Sequence, residues 1–310
     1  PAVPERDGAR LEGFLYACCL LSGAAALTYE VVWNRQLLAV FGSTTYATAA
    51  VLAAFLGGMA LGAALVARAA ERIRAPLRVY AAVELAIAGY ALLFGRLLEA
   101  VAVPYGRLWE GLGATPGALL SGPLVVGAPL LFVPTLALGA TLPLLGTALE
   151  RAGETGASRA GRLYGFNTLG AVAGALGAGF LLLPGFGMPG AMAVAVALNV
   201  SAAGLALWAA RVVPAPAVGS VSEVSKTRGG HAARRVSGAP STAAEVGIPR
   251  WERRPLRLLD PLLLLSSAAA LGYEVVWTRI LVLVVGSSTY AFSLTTGVYI
   301  AGLALGSLWM

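Results

Sequence analysis

Apolar residues gather along this chain in eight long runs, separated by short stretches where glycine, proline and arginine collect. They cover approximately Leu11 to Trp33, Thr44 to Ala67, Val79 to Val101, Leu119 to Leu145, Leu163 to Leu183, Ala191 to Ala210, Leu258 to Trp277 and Ser288 to Met310. A helix crosses a bilayer in about 20 predominantly apolar residues, and each run reaches that length. The pattern predicts an all-α polytopic membrane protein.

The last two runs repeat the first two. Tyr29, Glu30, Val31, Val32, Trp33 and Arg35 return as Tyr273, Glu274, Val275, Val276, Trp277 and Arg279, a constant offset of 244. Leu20 to Val66 aligns without a gap to Leu264 to Met310, with about half the positions identical. Self-similarity over such a length marks a duplicated unit. An even number of runs separates the copies, so both are expected to cross in the same direction. The expected organisation is an N-terminal segment 1–10, a first six-helix half over 11–213, a linker over 214–256, and the start of a second half over 257–310. The last residue, Met310, falls inside an apolar run, so the chain is expected to be a fragment of a longer protein.

Composition sharpens this picture. Charged residues make up 12% of the chain and hydrophobic ones 58%, with a mean hydropathy of +0.79; a soluble domain carries about 25% charged residues. With the N-terminus inside, 18 of the 22 basic residues fall on the cytoplasmic side, leaving only Arg35, Arg96, Arg107 and Arg279 opposite. That asymmetry predicts an integral protein of a bacterial-type inner or plasma membrane, with N-terminus and linker cytoplasmic. The net charge of +7 is then topogenic, and no nucleic-acid partner is expected. Residues 214–256 are rich in Ser, Gly, Pro and basic residues, which predicts a disordered linker held near anionic headgroups. The only histidine, His231, lies there and is assigned no metal or catalytic role. Cys18 and Cys19 are adjacent in an apolar run, so they read as small lipid-facing or packing residues and suggest no disulfide.

Small residues and breakers punctuate the runs. Gly58 and Gly62 are four apart, as are their counterparts Gly302 and Gly306, and as are Gly170 and Gly174. Each pair presents one smooth helix face for close helix packing. The fourth run carries Pro123, Pro129, Pro134 and Pro143, so its helix is expected to be kinked or interrupted, with the freed carbonyls seeking partners.

A carboxylate inside a span costs at least about 2.5 kcal/mol at the helix centre and therefore marks a functional candidate. Glu30, Glu274 and Glu84 qualify. If the first helix stops at Trp33, Glu30 lies at the interface; if it continues to Phe41, Glu30 lies near mid-membrane. Glu30 and Arg35 are about 140° apart around a helix and do not face one another, and the same holds for Glu274 and Arg279. Asn34 shares the face of Glu30, and Asn167 is expected to hydrogen-bond between helices. Glu30, Arg35, Glu84, Asn167, Glu274 and Arg279 form the candidate intramembrane polar set. No phosphate-cradling loop and no Cys or His cluster is present, so no catalytic or metal site is assigned.

Several motifs resemble one family. Tyr29-Glu30-Val31-Val32-Trp33 with Arg35 and Gly42-Ser43, then Gly57-Gly58 with Gly62, resembles the membrane part of fused proteins that join a major-facilitator-like domain to a spermidine-synthase-like domain. Tyr80 and Glu84, Pro134-Thr135 with Gly139-Ala140-Thr141 and Pro143, and Leu163-Tyr164 with Asn167 and Gly170 extend the resemblance over nearly all the chain except the linker. It implies a major-facilitator-like helix bundle, here its first six-helix half plus the first two helices of the second. It also implies a downstream aminopropyltransferase domain that uses decarboxylated S-adenosylmethionine; that domain is not in this sequence, and no cofactor is assigned to the residues present. The leading expectation is the membrane domain of such a protein, linked to polyamine (putrescine or spermidine) biosynthesis or transport, with lipid and a small cationic solute as partners. The alternatives are a stand-alone proton-coupled transporter of a small solute and a non-transporting membrane anchor.

Overall fold

The computed structural model describes residues 5–42, 44–112, 125, 127–152, 157–212, 259–286 and 288–309. Pro123 and the whole linker over 214–256, with His231, lie outside them. The chain divides into two units, one of Ala2–Ala215 with Glu274–Met310 and one of Pro1 with Pro216–Tyr273. Every contact below is made within the first.

Among the described residues the long elements are all helices: α1 Glu5–Phe41, α2 Thr45–Ala69, α3 Pro76–Leu112, α4 Ala128–Arg151, α5 Ala157–Gly177, α6 Leu183–Val212, α7 Leu259–Val285 and α8 Ser288–Trp309. Seven helical stretches are long and apolar enough to cross a membrane. One of them, Ser158–Val212, has 55 residues, more than twice what a single crossing takes. It holds α5 and α6, joined through a π-helical turn at Ala178–Leu182 and broken at Gly187, whose φ of 66° and ψ of −175° no helix contains. Only glycine takes that conformation readily, and Pro189 follows at once. The break falls between the fifth and sixth apolar runs, where the sequence places it.

Helix ends recur at the 244-residue offset. Gly42 (φ 83°) follows α1 and Gly286 (φ 72°) follows α7, each ending its helix in the left-handed conformation that glycine favours. Thr44 then caps α2, accepting a hydrogen bond from the Ala47 amide at 3.0 Å. The first helix therefore takes the longer of its two courses and carries Glu30 well inside it.

The helix α4 begins at Ala128 with Pro129 in its first turn and runs through two of the prolines of the fourth run. Pro134 and Pro143 sit inside it. Proline 134 has no N–H for the Leu130 carbonyl, and the Tyr90 hydroxyl of α3 supplies the missing donor at 2.8 Å. Thr135, Thr141 and Thr147 each donate to a carbonyl three or four residues earlier. The neighbouring helix thus satisfies the carbonyl that Pro134 leaves free.

In this unit α1 packs along α5 and α6, α2 along α4, α3 along α4 and α6, and α8 along α5. Small residues set the closest approaches. Gly58 and Gly62 lie against Thr135 and Leu136 of α4, and Gly139 answers against Met59. Gly170 and Gly174 lie against Leu20 and Ala24 of α1, while Gly23 meets the Asn167 carbonyl. Gly302 and Gly306 behave otherwise: nothing among the described residues lies within reach of a side chain there. Among the described residues the close glycine approaches to a neighbouring helix backbone are those of α1, α2, α4 and α5. Cys18 and Cys19 are buried free thiols, which favours packing over a lipid-facing place.

Candidate functional site: a carboxylate pair between α1 and α7

Glu30 is 6% exposed and Glu274 is 7% exposed. Eleven residues separate each from its helix end at Phe41 or Val285, about 16 Å of helix, or half the hydrocarbon thickness. The two carboxylates are near enough for the charge of Glu274 to act on Glu30, and no basic side chain among the described residues offsets it there. Thr296 of α8 donates to Glu274 Oε1 at 2.9 Å.

Polar neighbours extend the pair. Asn34 lies one turn past Glu30 and Thr278 one turn past Glu274, each on its carboxylate's helix face. Ser293 lies one turn before Thr296 on α8, against Gly179 of the π-helical turn. All three are buried. Asn34 Oδ1, Thr278 Oγ and Ser293 Oγ find no hydrogen-bond partner among the described residues. A buried group left unpaired costs about 1–3 kcal/mol. Two buried carboxylates and three unpaired oxygens are thus carried by α1, α7 and α8, and groups of this kind accept hydrogen bonds from a cation.

The arginines serve a different place. Arg35 donates to Thr289 Oγ1 at 3.3 Å and Arg279 to Thr48 Oγ1 at 3.4 Å. The end of α1 is thereby tied to the first turn of α8, and the end of α7 to the first turn of α2. Neither bond goes to a carboxylate.

Glu84 stands apart from this pair. It is fully buried on α3 and accepts a hydrogen bond from Asn199 Nδ2 of α6 at 2.6 Å. Ser22 and Tyr80 face the same carboxylate. Asn167 joins neither group: its carbonyl packs on Gly23 and its side chain is half-buried, so the expected interhelical bond is not made among the described residues. A cavity of about 440 Å³ between the ends of α1 and α3, lined by Phe41 and Tyr105 among others, contains none of these carboxylates.

Of the six polar residues singled out from sequence, the structure brings Glu30 and Glu274 together, sends Arg35 and Arg279 to the helix ends, and leaves Glu84 and Asn167 elsewhere. Sequence reasoning passed over Asn199, Thr278, Ser293 and Thr296. Thr278 carried a signal, as the counterpart of Asn34 at the 244-residue offset, and Asn199 carried another, as an amide inside an apolar run.

No family model matches the chain, and no solved structure matches it. The chain is similar to curated proteins described as polyamine aminopropyltransferase from two strains of Mycobacterium tuberculosis and from Mycobacterium bovis. In each case 29% of residues are identical over 201 residues, covering 63% of this chain and 35% of the relative. The chain therefore spans about a third of the length of the relatives it matches. It is a helical chain of seven long apolar stretches with a distant likeness to polyamine enzymes.

Proposed function

We propose that this chain is the membrane-embedded part of a polyamine-linked protein and that Glu30 and Glu274 hold an ammonium group of a small cationic solute such as putrescine or spermidine. The observation that carries the reading is the buried carboxylate pair, which lacks a basic partner among the described residues. An uncompensated pair of like charges in a low-dielectric interior is strongly unfavourable. A bound alkylammonium supplies the opposite charge and up to three N–H donors, matching the unpaired oxygens of Asn34, Thr278 and Ser293. The distant likeness to polyamine aminopropyltransferases supports a polyamine over other cations.

In this reading the helices form a major-facilitator-like bundle in which the copies begun by α1 and α7 are related by a two-fold axis. The exchanged arginine contacts, Arg35 to α8 and Arg279 to α2, support that relation. The aminopropyltransferase domain belongs to the longer protein, and decarboxylated S-adenosylmethionine to that domain. Proteoliposome uptake of labelled putrescine tests the transporting form, with Glu30→Gln/Glu274→Gln as the comparison. Uptake abolished in the double variant supports carriage through the pair. Saturable binding without uptake leaves a membrane-bound solute site, and neither binding nor uptake leaves an anchor.

A further inference from the structure

A third buried carboxylate, Glu84, lies outside the proposed solute site. Glu84 and Asn199 are both 0% exposed. Asn199 Nδ2 donates to Glu84 Oε2 at 2.6 Å and lies 3.5 Å from the Glu84 backbone oxygen. On the same two side chains Glu84 Oε1 and Asn199 Oδ1 have no partner among the described residues. The titratable groups facing Glu84 are Cys18, Cys19 and Tyr29 from α1 and Tyr80 from its own helix, with Ser22 and Asn199 as neutral neighbours. None is a cation.

We propose that Glu84 carries a proton, and that Glu84 with Asn199 is a proton-binding site buried between α3 and α6, separate from Glu30 and Glu274. An ionised carboxylate sealed from water costs several kcal/mol when no cation accompanies it. The neutral amide donor of Asn199 offsets only part of that cost. A proton on Oε1 removes the charge and leaves the bond at Oε2 intact. It also turns an unpaired acceptor into a donor, the kind of group that the unpaired Asn199 Oδ1 lacks. Acid and amide then complement each other, and α3 is joined to α6 by a neutral pair.

Infrared spectroscopy of the purified chain in lipid nanodiscs at neutral pH tests this directly. The wild-type protein is expected to show a C=O stretch of a protonated carboxylic acid that Glu84→Gln removes and Glu30→Gln/Glu274→Gln retains. Asn199→Ala is expected to shift that band to higher frequency, because a hydrogen bond to the acid has gone; this variant decides the matter if Glu84→Gln does not fold. Loss of a carboxylate stretch in Glu84→Gln in place of the acid band overturns the proposal, as does an acid band that Asn199→Ala leaves unmoved. Neither readout depends on solute binding, so failure here and failure at the Glu30 and Glu274 pair are distinguishable.

Discussion

Arg35 at the end of α1 donates to Thr289 in the first turn of α8 across 3.3 Å. The bond joins residues 254 apart in sequence, and Arg279 likewise reaches the first turn of α2 at Thr48, one turn beyond the counterpart of Thr289. Because Arg35 is exposed, water weakens the interaction, and it is worth about 0.5–1 kcal/mol. Arg35→Ala and Thr289→Ala are each expected to lower unfolding stability in detergent by that order. The double variant is expected to lose no more than the larger single loss, since both remove one bond. Full additivity shows that the two side chains do not interact in solution.

The carbonyl freed by Pro134 supplies a sharper test, because its donor is known. Tyr90→Phe leaves Leu130 O without the hydroxyl that meets it at 2.8 Å and is expected to cost about 1 kcal/mol. Pro134→Ala restores a backbone N–H to that carbonyl. In the Pro134→Ala background, Tyr90→Phe is therefore expected to cost little. An equal cost in both backgrounds means that Tyr90 stabilises α4 by packing alone.

Glycines at the same position of the two sequence copies are expected to respond differently. A methyl group at Gly62 meets the Leu136 backbone of α4, which is not a flexible neighbour, whereas one at Gly306 meets nothing among the described residues. Gly62→Ala is expected to lower stability by about 1–3 kcal/mol through overpacking. Gly306→Ala is expected to be neutral or slightly stabilising, since alanine favours helix. Thermal unfolding of the two variants side by side checks this, and equal losses refute the assigned α2 to α4 contact.

Much of this architecture was readable from apolar runs. The break at Gly187 was legible because Pro184, Gly185, Gly187 and Pro189 cluster between two runs. The burial of Glu30 was not, because the apolar pattern allowed α1 to end at either Trp33 or Phe41, and the choice depends on Gly42 adopting a positive φ. Proline spacing told that a carbonyl would need a partner and not which one: the donor to Leu130 O comes from Tyr90, 40 residues away, and no local pattern announces a tertiary hydrogen bond. The partner of Glu84 was hidden in the same way, 115 residues distant on α6. The glutamate pair was legible as two equivalent residues and not as neighbours, since a repeat gives correspondence without giving distance.

The pairing of Glu30 with Glu274 is tested most directly by equilibrium binding of putrescine to the purified chain in nanodiscs. Wild-type protein is expected to bind saturably, and Glu30→Gln/Glu274→Gln to bind at least about tenfold more weakly, since a hydrogen bond to a charged group contributes about 1.5–3 kcal/mol. Equal affinity in the folded double variant, or no saturable binding by the wild-type chain, contradicts the assignment of this pair as a cation site.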